Sequence, residues 1–181
     1  GARTYAWAPT SDAIALNAHH DGFGALWIAE LDGATREVGR AWHLGVDWGT
    51  AGILAVRSGA KTPRQLVHYL LPSGDRTTVA YGAPAGFRDL VEPTPVTWER
   101  DGVMLHGLWW SPIQTDRPAP VIVTLHGGPT DQARADWDAR RAYYLAQGYA
   151  VFAPNPRGST GYGRAYADGV RGGWGVVDAA D

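Results

Sequence analysis

The sequence predicts a chain in two parts: an all-β region with a repeat of roughly 40 residues, as in the blades of a β-propeller, then an α/β region with a parallel sheet. Three observations carry this expectation. A strand, loop, strand, turn, strand pattern occurs twice at that offset; a proline- and glycine-rich stretch interrupts it; apolar runs of β-branched residues then alternate with helical stripes. Composition sets the outer bounds. In 181 residues, 16 basic against 18 acidic side chains leave a formal charge of -2, which excludes the strongly positive field of a nucleic-acid binder. With 45% hydrophobic and 19% charged residues, and no apolar run longer than a strand, the chain is too apolar for disorder and too interrupted for a membrane span. The absence of cysteine excludes a disulfide framework, a thiolate zinc site, an iron–sulfur cluster and a cysteine nucleophile. Gly1 without an initiator Met, and Asp181 inside what reads as a first helical turn, make both ends read as cuts.

Taken in order, the first unit is the strand Ala13 to Asn17, the polar stretch Ala18 to Gly24, the alternating Ala25 to Leu31 leading into Asp32-Gly33, and the closing strand Thr35 to Val38. The second is Gly52 to Val56, the polar Arg57 to Arg64, Gln65 to Leu71 leading into Pro72-Ser73-Gly74, and Thr77 to Ala80. Near Gly82 to Pro95 the pattern breaks, and the expected domain boundary divides residues 1–86 from 87–181. Pro95 to Glu99 and Val103 to Trp110 flank Arg100-Asp101-Gly102 as a hairpin. Thr115 to Ala119 is a polar loop. Pro120 to Leu125 is a nearly continuous apolar run that suits a strand buried on both faces. Asp131 is the expected N-cap of a helix through Ala133 to Gln147, with Trp137, Arg141 and Leu145 on one stripe and Gly148 at C′. Tyr149 to Ala153 is a second buried strand, stopped by Pro154, and Arg164 to Arg171 is a short helix.

Two strings carry chemistry. His126-Gly127-Gly128-Pro129 directly follows the first buried strand. A glycine pair there turns tightly and exposes N–H groups at the carboxyl edge of the sheet, where an oxyanion could bind; a plain turn needing positive φ fits the same four residues. Asn155-Pro156-Arg157-Gly158-Ser159-Thr160-Gly161-Tyr162-Gly163 follows the next strand, and Trp174-Gly175, Asp178 and Asp181 come after it. In this order the motifs resemble the prolyl oligopeptidase family of serine peptidases (S9), most closely its acylaminoacyl-peptidase branch. The resemblance covers about Pro95 to Asp181. It implies that residues 87–181 are the N-terminal part of an α/β-hydrolase domain and residues 1–86 the last blades of the propeller that precedes it in the family.

Carried over by position, the resemblance makes the backbone N–H of Gly128 one half of an oxyanion hole, the other half coming from the residue after the nucleophile. It puts His126, Gly127 and Arg157 at the substrate. His126 stands where other branches have an oxyanion-binding tyrosine, and reads either as a participant or as a histidine pinning the loop by a hydrogen bond. Arg157 reads either as a ligand for a substrate carbonyl or carboxylate or as a tie between loops. No Gly-x-Ser-x-Gly elbow is present: Ser11, Ser58, Ser73, Ser111 and Ser159 all lack glycine at −2 or +2, and Ser159, which comes closest, has Arg157 at −2. Its hydroxyl therefore reads as a turn hydrogen bond. In the family the elbow, then the Asp and His of the triad, lie further along the chain. The expectation is thus a segment, inactive alone, of a serine peptidase that cleaves short peptides through an acyl-enzyme, with no metal, no organic cofactor, and neither nucleic acid nor membrane as partner. An esterase on the same fold and a non-catalytic binding module are the runners-up. Asp178 and Asp181 read as carboxylates at a helix start. His19-His20-Asp21 lacks a third well-spaced metal ligand, and the nine tryptophans read as core packing.

Overall fold

A computed structural model of the chain describes residues 3–82, 91–113, 118–128 and 130–181. Strands β1 (Tyr5–Trp7), β2 (Ala13–His20), β3 (Phe23–Glu30) and β4 (Thr35–Arg40) form one antiparallel sheet in sequence order. Strands β5 (Trp42–Gly49), β6 (Gly52–Gly59), β7 (Thr62–Tyr69) and β8 (Arg76–Tyr81) form a second. The side-chain period of two does the sorting: along β3, Leu26 and Ile28 are fully buried while Ala25, Trp27 and Ala29 are only partly covered. The buried faces of the two sheets share one core, in which the small Ala13 and Ala15 meet Val46, Ile53, Val67 and Tyr69. Two stacked, four-stranded meanders are the form of consecutive propeller blades.

Each unit has four strands where the sequence suggested three. β1 and β5 carry no clear period of two in the sequence, because β1 is three residues long and β5 slips register between Leu44 and Asp47, which breaks its alternation. The polar stretches expected as loops are mostly hairpin. His19 pairs with Gly24 and His20 with Phe23, leaving a tight turn at Asp21-Gly22 with φ of 51° and 81°. Gly52 opens β6 at φ 126°, and a Cβ there would lie 2.2 Å from the Tyr69 carbonyl oxygen, so this position accepts no side chain. His43, fully buried in β5, donates from Nδ1–H to the Ala41 carbonyl at 2.8 Å and accepts at Nε2 from the Tyr69 hydroxyl at 2.7 Å. Burial pushes its pKa down to about 4.

The third sheet has the order β11-β12-β10-β9, from β9 (Thr94–Arg100), β10 (Val103–Trp110), β11 (Val121–Val123) and β12 (Ala150–Asn155). β9 and β10 are the predicted hairpin, turning on Asp101-Gly102 with both residues at positive φ. β12 runs antiparallel to β10 and parallel to β11, so the sheet is mixed, with a single parallel pair among the described residues. Its core gathers Leu108, Trp110, Ala135, Leu145, Val151 and Ala153.

Two expectations are corrected here. The run Pro120 to Leu125 is not buried on both faces: β11 spans three residues at the sheet edge, and Val121, Val123 and Leu125 are 46%, 58% and 75% exposed. β12 is its one neighbour among the described residues, and β-branched composition specifies a strand without specifying what covers it. Nor does the helix start at Ala133. α1 (Ala139–Ala146) is capped by Asp138, whose carboxylate accepts from Arg141 N–H at 2.8 Å. Residues 131–138 stay irregular because tertiary partners take their amides: Ala133 N–H bonds Asn155 Oδ1, Ala135 N–H the Gly22 carbonyl and Trp137 N–H Ser58 Oγ. Gly148 ends the helix at φ 84° with its N–H on the Leu145 carbonyl, as predicted. Helices α2 (Arg164–Asp168) and α3 (Val177–Ala180) are short. The boundary placed between residues 86 and 87, residues 115–117 of the polar loop, and Pro129 lie outside the described residues. Among the described residues no helix is long and apolar enough to cross a membrane.

Candidate active site

Because β11 and β12 are parallel, their carboxyl ends open at one edge of the sheet and the segments that follow them lie side by side. The pairing runs one residue past β11, where Thr124 N–H donates to the Phe152 carbonyl at 2.9 Å. The chain then turns through His126, Gly127 and Gly128, the last at φ 74°; both glycines are exposed, and a Cβ on either would meet nothing within 4 Å. His126 joins the two loops, with Nε2 2.9 Å from Ser159 Oγ. That hydroxyl donates its proton to the Pro156 carbonyl at 2.7 Å, so it meets His126 Nε2 as an acceptor, while His126 Nδ1 lies 3.3 Å from the Gly127 carbonyl of its own turn.

The loop after β12 is built on buried amides. Asn155 is fully buried: Oδ1 accepts from Ala133 N–H at 2.7 Å, Nδ2 donates to the Tyr162 hydroxyl at 2.7 Å, and its carbonyl accepts from the Tyr166 hydroxyl at 2.6 Å. Tyr162 stacks on His106 of β10 with ring centres 4.3 Å apart. Burial pushes the Tyr162 phenol up to about 12, raises that of Tyr166, and lowers His106. Gln132 donates from Nε2 to Thr160 Oγ1 at 2.9 Å and to His19 Nδ1 at 2.8 Å. Gly161 comes so close that a Cβ on it would lie 2.7 Å from Gln132 Oε1. His19 in turn stacks on Trp42, and the Arg134 guanidinium lies 5.0 Å from the Trp42 ring centre.

Arg157 lies on the same loop as Ser159, with its guanidinium engaged by Asp181. Nε reaches both carboxylate oxygens at 2.9 and 3.0 Å, Nη2 bonds Oδ1, and the Arg157 backbone N–H donates to Oδ2 at 2.8 Å. The carboxylate of Asp181 is completely buried, and its bonds raise the Arg157 pKa. Asp181 is thus not at a helix start: α3 begins at Val177, which leaves Asp178 in the first turn, accepting from Gly175 N–H, and puts Asp181 at the opposite end. Among the described residues no three His, Cys, Asp or Glu side chains converge as a metal site would require; His19 is engaged by Gln132, and His20 sits 2.9 Å from Asp21. A cavity of about 400 Å³ opens beside His126, bordered by Ile122, Leu125, Arg140 and Tyr144. A larger one, about 640 Å³, lies away from the glycine turn, between the first two sheets near Phe23, Trp27, Arg40 and Lys61.

The structure therefore brings His126, Gly127 and Gly128 against the loop that carries Arg157 and Ser159. Asn155 and Gln132 hold that meeting together without having been singled out beforehand. An amide closing an apolar strand was the available signal for Asn155, since such a group must find partners once buried.

Residues 136–181 match the model of the prolyl oligopeptidase family. Over 132 residues, 70% of its length, the chain is 32% identical to the uncharacterized peptidase YuxL of Bacillus subtilis, and it spans 20% of that protein. Over 58 residues it is 43% identical to dipeptidyl-peptidase 5 of Aspergillus fumigatus, covering 31% of this chain and 8% of that one. The crystal structure of puromycin hydrolase superposes with a TM-score of 0.86 at 29% identity, covering 100% of this chain and 29% of that one. The acylaminoacyl peptidase of Pyrococcus horikoshii superposes with a TM-score of 0.75 at 24% identity, over 92% of this chain and 27% of that one, a likeness of fold.

Proposed function

We propose, from the premise that this chain belongs to the prolyl oligopeptidase (S9) family, that the polypeptide carrying it is a serine peptidase hydrolysing short peptides through an acyl-enzyme. In this reading residues 1–86 are the last two blades of a propeller that keeps folded proteins from the site, and residues 87–181 are the N-terminal part of an α/β-hydrolase domain. One observation carries it: the parallel pair β11–β12 delivers a glycine turn and the Ser159 loop to one sheet edge, joined by the His126–Ser159 hydrogen bond. The Gly128 N–H is one oxyanion donor. Gly127 leaves the backbone open to an approaching acyl group, and His126 holds the turn from the side. Arg157 borders the peptide's path, and its engagement by Asp181 favours a role in tying loops. The nucleophilic Ser, then the Asp and His, would come from sequence beyond residue 181, so residues 1–181 alone are inactive. The reaction needs no metal or organic cofactor.

The test is to express the complete polypeptide and assay peptidyl p-nitroanilides before and after treatment with a sulfonyl fluoride. Turnover that is lost on labelling a serine outside residues 1–181 is the expected result. Ester cleavage without anilide cleavage would replace the peptidase reading by an esterase one, and labelling of Ser159 would overturn the assignment of the nucleophile.

A further inference from the structure

We infer that Ser159 is a positioning residue of the oxyanion turn: by accepting from His126 Nε2–H while its own proton goes to the Pro156 carbonyl, it holds Gly127 and Gly128 in register with the loop after β12. Three observations lead there. First, the strand pairing stops at Thr124, and among the described residues the hydrogen bond that joins residues 125–128 to another part of the chain is the one between His126 and Ser159. Second, packing does not hold the turn, because Gly127 and Gly128 are exposed with open space around them. Third, the anchor itself is rigid. Ser159 is 1% exposed, and both its N–H and its hydroxyl donate to the Pro156 carbonyl, at 3.0 and 2.7 Å. A hydroxyl whose proton is committed presents only a lone pair to His126, so the ring cannot rotate away without losing the bond.

The catalytic consequence rests on the peptidase reading; the structural one does not. An oxyanion donor works only when it lies within hydrogen-bond distance of the oxygen as charge develops on it, so a turn free to drift loses transition-state stabilisation while ground-state binding persists. Loss of Ser159 should therefore lower kcat and leave KM nearly unchanged.

The experiment uses the complete polypeptide with Ser159→Ala, His126→Ala and both together. Each single variant is expected to lower kcat about tenfold, the scale of one neutral hydrogen bond and short of the roughly hundredfold loss of a donor. Because Ser159 acts through His126, adding Ser159→Ala to His126→Ala should cost nothing more, whereas a general structural defect would add. In parallel, hydrogen–deuterium exchange should show faster uptake across residues 125–130 in either single variant, with the hairpin 94–110 unchanged. His126→Ala keeps this readout open should Ser159→Ala fail to fold. Additive losses, or unchanged uptake at residues 125–130, would overturn the inference. An inactive parent whose uptake still responds would instead sink the peptidase reading and leave the positioning role standing.

Discussion

Gln132 Nε2 stands 2.8 Å from His19 Nδ1, so the segment just after the Gly127–Gly128 turn is hydrogen-bonded to β2, 113 residues earlier in the chain. The same amide bonds Thr160. Gln132→Ala removes both bonds from a nearly buried position and should lower stability by about 1–2 kcal/mol, read as a drop in melting temperature. A variant as stable as the parent would mean that this bridge carries no load.

His43 makes stability depend on acid. Its pKa is about 4 in the folded chain against 6.5 in the unfolded one, so between these values the unfolded chain binds the extra proton. The stabilisation is complete above pH 6.5, falls as pH drops, and is gone below about 4, for a total of roughly 3 kcal/mol. His19, whose pKa burial and then Arg134 both lower, acts in the same direction. Denaturant melts from pH 7 to 4 should show a steeper loss in the parent than in His43→Gln; equal slopes would refute the assignment to His43.

Gly52 and Gly49 make a matched pair of tests. A methyl on Gly52 would sit 2.2 Å from the Tyr69 carbonyl oxygen at φ 126°, whereas one on Gly49 would meet nothing within 4 Å. Gly52→Ala should cost about 3 kcal/mol or more. Gly49→Ala should stay within about 0.5 kcal/mol. Chemical denaturation of both variants decides the point, and similar costs would contradict the close approach.

Gly128 needs two substitutions to separate donor from turn. Pro removes the N–H but cannot adopt φ 74°, while Ala keeps the N–H and bears only the strain of positive φ. In the complete polypeptide, Gly128→Pro should lower kcat by roughly a hundredfold and Gly128→Ala by about tenfold at most. Equal losses would mean that the turn's shape matters and its N–H does not.

Features set by near neighbours in the chain were legible beforehand. The Asp101-Gly102 hairpin and the Gly148 helix stop are decided within a few residues, and the structure keeps both. The helix start was not, because Asp131 and Asp138 are equally good caps in sequence, and the choice is made by Asn155, Gly22 and Ser58, which claim the intervening amides. The exposure of β11 was hidden for a related reason: Val121 and Val123 look the same at a sheet edge as in its centre. At the candidate site, His126 and Gly128 could be found as a string after an apolar run. Asn155 and Gln132 could not be assigned their tasks, since those are defined by partners 22 and 113 residues away.

The carbonyl of Gly22 accepts from two directions, from Trp42 Nε1 at 3.0 Å and from Ala135 N–H at 2.8 Å. The first donor belongs to the second sheet and the second to the segment after the glycine turn. Were the third sheet to swing away, Gly22 would keep Trp42 and remain satisfied, whereas the Ala135 amide would lose the carbonyl it donates to. Parting would also cost His19 Nδ1 its bond from Gln132 and Ser58 Oγ its bond from Trp137 N–H, so the first two sheets and the stretch that continues the glycine turn would have to take up water together.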